Sequence, residues 1–222
     1  MASHFVFISA AWAESKSGSS STGWLSKAFP HPTLSVSYGH DVEYEASPKI
    51  EGITYDKGWD LHGGFDFSVL GPLHLSLGYF HHSFNGFVDF DYTEYNTGAH
   101  AHIGHVPVKN SASGPNLGLR LISSDNGFIH PYMEGGGFVG VYQVTYYELP
   151  SQIQGFQLKL SDFEPMSGFY GEAGILLRLL DKLSLGGGYR YSAFRTGKMV
   201  TLANQELDLK SSSYFLTLGL VQ

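Results

Sequence analysis

The chain has 222 residues, enough for one domain of about 200 residues and a short leader. It carries 20 acidic against 13 basic residues, a net charge of −7, which argues against a nucleic-acid partner, and it has no cysteine, which excludes a disulfide scaffold, thiolate catalysis and Cys-ligated zinc. Charged residues are only 15%, against roughly 25% in an average soluble domain, yet no apolar run approaches the ~18–20 residues of a membrane helix.

The N-terminus opens with Phe5-Val6-Phe7-Ile8 and reaches a small-x-small pattern, Ala11-Trp12-Ala13, before Glu14. Residues 1–13 therefore read as a signal peptide shortened at its start, since no Lys or Arg precedes the apolar stretch. Residues 14–31, rich in Ser and Gly, read as a flexible leader.

From Thr33 onward the hydrophobic pattern has period two, and in a strand alternate side chains face opposite ways. The first segment alternates Leu34, Val36, Tyr38 and Val42 with Ser35, Ser37, Gly39, Asp41 and Glu43. The second alternates Leu61, Phe65, Phe67 and Val69 with Asp60, His62, Gly64, Asp66 and Ser68. A third holds Leu73, Leu75, Leu77 and Tyr79, and a shorter fourth holds Leu117, Leu119 and Leu121 around Gly118 and Arg120.

A fifth segment runs over about 129–146, with Glu134 and Gly136 opposite Met133, Val139 and Val141. In the sixth, Phe169, Ala173, Ile175, Leu177 and Leu179 oppose Glu172, Gly174 and Arg178. The seventh sets Leu183, Leu185, Tyr189 and Tyr191 against Gly186, Gly188 and Arg190, and the eighth sets Tyr214, Leu216, Leu218 and Leu220 against Ser213, Thr217 and Gly219.

The connections alternate in length. Leu70-Gly71-Pro72, Ser124-Asp125-Asn126-Gly127 and Leu180-Asp181-Lys182 are short, and Asn-Gly is a strong hairpin signal. The other four, about 46–57, 84–115, 147–166 and 196–206, are long. Short periplasmic turns and long extracellular loops produce this alternation, and a soluble sandwich has no reason to. The second face of the segments also argues against a soluble barrel: it mixes Arg, Asp and Glu with Gly and Ser and is nearly free of Lys, which suits a confined interior where charges must pair. The expected fold is all-β, an eight-stranded antiparallel up-and-down transmembrane barrel over residues 32–222, closed against lipid and seated in a bacterial outer membrane.

These segments, the Gly186-Gly187-Gly188-Tyr189-Arg190-Tyr191 piece and the terminal strand from Tyr214 to Gln222 resemble the small outer-membrane barrel superfamily that includes the transmembrane domain of OmpA, OmpX and the opacity-type proteins. That superfamily usually ends in Phe or Trp, whereas this chain ends in Gln222. The resemblance implies a monomer in contact with the lipid bilayer, lipopolysaccharide and the outer-membrane assembly machinery, with no cofactor. It also implies a lumen filled by ion pairs, and the candidates here are Asp41, Asp60, Asp66, Arg120, Glu134, Glu172, Arg178 and Arg190. The function expected is structural or adhesin-like rather than enzymatic, with an extracellular partner met through the four long loops; a small porin or solute channel is the first alternative and a lipid A-modifying outer-membrane enzyme the second.

Three further groups stand out. His100, His102 and His105 in the second loop have a His-x-His spacing that suits Zn²⁺ or Cu²⁺. His81 and Ser83 share the outward register of the third segment and are similar to the His and Ser of outer-membrane lipid A deacylases. That family places Asn directly after the Ser, where this chain has Phe84, and no matching acid is evident. Aromatics at the long-loop ends, Tyr79, Phe80, Phe84, Phe87, Phe90, Tyr92, Tyr142, Tyr146 and Tyr147, read as the interfacial girdle of a barrel.

Overall fold

The computed structural model describes residues 33–47, 53–93, 100–123, 128–146, 161–180, 182–198 and 206–221. The expected leader segments and the Asn126-Gly127 turn lie outside them. Eight strands follow in chain order: β1 (Thr33–Ser47), β2 (Ile53–Leu70), β3 (Leu73–Thr93), β4 (His100–Ile122), β5 (Ile129–Tyr146), β6 (Ser161–Leu180), β7 (Leu183–Thr196) and β8 (Asp208–Val221). Each pairs antiparallel with the next, and β8 pairs with β1 to close the barrel. Closure satisfies every strand edge, which an open sheet facing lipid cannot do. The β2–β3 turn is made at Gly71, whose φ of 53° favours a residue without Cβ.

The strands are longer than the expected segments. β3 and β4 remain paired up to Phe90↔Ile103 and Thr93↔His100, so most of the stretch expected as a loop over 84–115 is sheet. Likewise β6 starts at Ser161 and β2 at Ile53, inside the expected loops 147–166 and 46–57. The 23 residues of β4 span about 75 Å along the strand. At the usual tilt of about 40° this is about 58 Å along the barrel axis, against an apolar band of about 25 Å. One end of the barrel therefore projects well beyond a bilayer.

The reason those segments read as loops is that wall polarity inverts along the axis. Toward the short turns, Leu119, Met133 and Leu216 point outward and are more than half exposed, while Asp66, Arg120 and Glu134 are buried inside. Toward the other end the interior becomes apolar, with Phe80, Phe84, Phe138, Tyr142, Phe194 and Leu209 in one cluster. There the outward residues include Glu43, Glu45, Lys57, Lys109 and Lys210, all exposed, with Phe87 among them. The projecting half thus has a water-soluble barrel's polarity, and the membrane half has the reverse.

In β1 the switch is made by a bulge. Asp41 has φ 53°, and the register slips on both flanks, between His40 and Val42 against β2 and between His40 and Glu43 against β8. One extra residue moves every later side chain to the opposite face. Val42, in the outward set by simple alternation, is therefore fully buried inside, while Asp41 and Glu43 are exposed outside.

An outward aromatic belt marks the boundary between the two zones. Tyr38 and Trp59 stack with centroids 6.4 Å apart, and Tyr189 meets Tyr214 edge-on at 5.5 Å. Rings with an apolar body and a polar tip suit a headgroup layer. Tyr79 is exposed, as expected of a girdle residue, whereas Phe87 is exposed beyond Lys109 on the projecting wall; the side chains of Phe90, Tyr92, Tyr146 and Tyr147 lie outside the described residues. Phe80, Phe84 and Tyr142 belong instead to the interior, because they fall on the inward phase of their strands.

Candidate functional site in the barrel lumen

Two buried arginines organise the lower lumen. Arg120 on β4 donates to Asp66 on β2, to Glu134 on β5 through Nε at 2.5 Å, and to Glu172 on β6 through Nη2 at 3.4 Å. Arg190 on β7 donates through Nε to Glu172 at 2.9 Å and through Nη1 to Asp60 on β2 at 3.0 Å. Its Nη2 reaches Ser37 on β1 at 2.6 Å, and Ser213 on β8 donates to the second Asp60 oxygen at 2.8 Å. Glu172 bridges the two guanidiniums, so a single chain of charge-assisted bonds crosses the lumen.

Aromatic faces complete the arginine sites. Arg120 lies 5.0 Å over the Tyr132 ring, and Arg190 lies 4.5 Å over Phe215. Tyr170 donates its hydroxyl to Glu134. A planar fork can meet several carboxylates and a ring face together, which an ammonium cannot. Close approach is also needed: a Cβ on Gly118 would stand 2.4 Å from the Tyr170 hydroxyl and 2.9 Å from Glu134. The free space among these groups is about 20 Å³, room for a water molecule and too little for a solute path.

Of the eight residues expected inside, six meet in this network: Asp60, Asp66, Arg120, Glu134, Glu172 and Arg190. Asp41 does not, because the β1 bulge turns it outward beside His40. Arg178 shares the inward phase of Glu172 but lies six residues, or about 20 Å, nearer the short-turn rim, where it is exposed. Ser37, Ser213, Tyr132 and Tyr170 were not singled out from the sequence. Their only signal there is membership of the inward set, which does not reveal which cross-lumen partners they meet.

Above the network lie two histidines. His62 on β2 and His82 on β3 are buried, with ring centroids 5.4 Å apart, and Tyr44 lies 3.2 Å from His82 Nδ1. The aromatic cluster adjoins them: Phe80 stands across the ladder from His62 and packs on Phe138 at 4.5 Å, and Tyr44 stacks on Phe84 at 3.8 Å.

His81 and Ser83 are not joined by a hydrogen bond among the described residues. His81 packs against Trp59 with centroids 5.1 Å apart, and Ser83 is buried opposite Trp59 and Ser111. The side chains of His100, His102 and His105 lie outside the described residues.

Apolar side chains on the outer wall, paired charges within and an aromatic belt define a transmembrane β-barrel of the bacterial outer-membrane type. No protein-family model and no curated protein sequence matches the chain. Among solved structures, Neisserial surface protein A is similar over 85% of this chain and 96% of its own, with 12% identity and a TM-score of 0.52. The outer membrane protein OprG from Pseudomonas aeruginosa aligns over 87% of this chain and 97% of its own, with 16% identity and a TM-score of 0.44. Ail, the attachment invasion locus protein of Yersinia pestis, aligns over 86% and 98%, with 11% identity and a TM-score of 0.42. At such identities the likeness is one of fold.

Proposed function

We propose that the protein is a closed, non-conducting outer-membrane scaffold that holds a rigid recognition surface above the bilayer. The observation that carries this reading is the doubly filled lumen: a paired-charge layer surmounted by the aromatic cluster, with about 20 Å³ free in the lower layer. Moving an ion through would require breaking buried charge pairs and then crossing an apolar plug, and both steps are costly. The extended β3–β4 hairpin and the polar outer wall of the projecting half support a surface role, since recognition on rigid scaffolds sits at the exposed rim. The partner side of this proposal rests on the hairpin ends rather than on long loops, because so much of the expected loop sequence is strand.

Two measurements test the reading. In planar bilayers the purified barrel gives no discrete current steps; steps of defined size would favour a small solute channel instead. The absence of native cysteine permits a clean topology test with Lys109→Cys and Leu119→Cys. A membrane-impermeant maleimide labels Lys109→Cys on intact cells and leaves Leu119→Cys unlabelled. The reverse pattern would overturn the projecting outer half.

A further inference from the structure

We propose that the lumen holds one divalent transition-metal ion of the zinc, cobalt or copper class between Asp60, His62 and His82. Asp60 and His62 are two residues apart on β2 and so share the inward face. His82 on β3 stands directly across the ladder from Asp60. One ligand atom from each residue lies within 4.8 Å of the other two. Zinc bonds of about 2.0–2.1 Å place tetrahedral ligands about 3.3 Å apart, so binding closes the triad by about 1.5 Å at most.

A second observation points to a ligand. The Nε2 atoms of both histidines are buried and have no hydrogen-bond partner. A buried polar atom without a partner is costly, and few are tolerated. A metal ion would satisfy both. His82 already has the outer support that a ligating imidazole needs: when Nδ1–H donates to the Tyr44 hydroxyl oxygen, 3.2 Å away, Nε2 presents its lone pair. Asp60 is likewise held in place, accepting from Arg190 and Ser213 while retaining lone pairs.

Charge gives a third argument. In the adjoining network four carboxylates, Asp60, Asp66, Glu134 and Glu172, face two guanidiniums, an excess of two negative charges in a buried space. A divalent cation cancels that excess. Two imidazoles and one carboxylate favour zinc, cobalt or copper over magnesium or calcium, which take oxygen ligands. The ion would also tie in β3, which supplies no charged member to the network among the described residues. The aromatic cluster above the site means that metal enters as the barrel folds.

The test refolds untagged protein from urea into detergent micelles with Co²⁺ or Zn²⁺ present, desalts it, and counts metal by mass spectrometry. The expected result is one ion per folded barrel, with the visible ligand-field absorption of imidazole-bound cobalt. His62→Ala and His82→Ala each weaken binding by tenfold or more, while the triple variant His100→Ala, His102→Ala, His105→Ala keeps it. Tyr44→Phe preserves packing and, as loss of an outer-shell partner, weakens binding by about 10–100-fold. That variant keeps the test open if the histidine variants do not fold. Wild-type barrel that retains no ion, or an ion lost only from the triple variant, overturns the proposal.

Discussion

Replacing Arg190 by Met tests the lumen network most directly. The guanidinium is 2% exposed and binds Glu172, Asp60 and Ser37 at once. Met fills much of the same volume without charge, so the variant leaves Asp60 and Glu172 buried beside each other's charge with one cation, Arg120, for four carboxylates. Removing one partner of a buried ion pair costs about 3–5 kcal/mol, because the orphaned charge cannot return to water. With a urea m-value of about 2 kcal/mol per molar, the unfolding midpoint falls by about 2 M. Lys at this position keeps the charge but cannot fork between two carboxylates, and should lose about 1–2 kcal/mol. The decisive comparison is the triple variant Arg190→Met, Asp60→Asn, Glu172→Gln. It removes the orphaned charges and should recover most of the loss, since neutral replacement of a buried ionic cluster is often tolerated. Equilibrium unfolding in lipid vesicles, followed by tryptophan fluorescence and by the heat-dependent gel shift, reads all four proteins. EDTA throughout keeps any metal effect of Asp60 separate. A single variant within about 1 kcal/mol of wild type, or a triple variant no better than the single, would refute a network held together by mutual neutralisation.

Two other substitutions probe the wall. Asp41 carries the positive φ of the β1 bulge, so Asp41→Gly should be neutral or stabilise by up to about 1 kcal/mol, whereas Asp41→Val should cost about 1–2 kcal/mol in the same unfolding assay; equal midpoints for the two would show that the positive φ at Asp41 does not select the residue there. On the projecting wall, Arg195 and Asp208 form a two-pronged pair at 2.6 and 3.0 Å, and the hydrogen bond from Arg195 holds the Asp208 carboxyl below its ordinary value. The pairing is thus present above the usual Asp range and lost as pH falls through the lowered value. Because Arg195 is largely exposed, Arg195→Gln should leave the unfolding midpoint nearly unchanged while an NMR titration returns Asp208 to its ordinary range.

The sequence by itself determined the strand class, the strand number and which residues of the membrane half face lipid. Period-two alternation acts through the geometry of each strand alone: Leu216 and Leu218 must share a face whatever their neighbours do. The same local rule placed Asp66, Arg120, Glu134, Glu172 and Arg190 on the inward face. It could not pair them, because Arg190 and Asp60 are 130 positions apart and meet only through strand register and closure. Tertiary structure also decided what local alternation misassigned. The bulge at Asp41 reverses the faces of β1, a change of one backbone torsion that leaves the residue pattern looking regular. In β3 and β4, residues such as Phe84, Val108 and Lys109 were taken for loop because their polarity runs opposite to that of the membrane half. That inversion is a property of where the barrel leaves the bilayer, and the height of a residue along the axis exists only once eight tilted strands have closed.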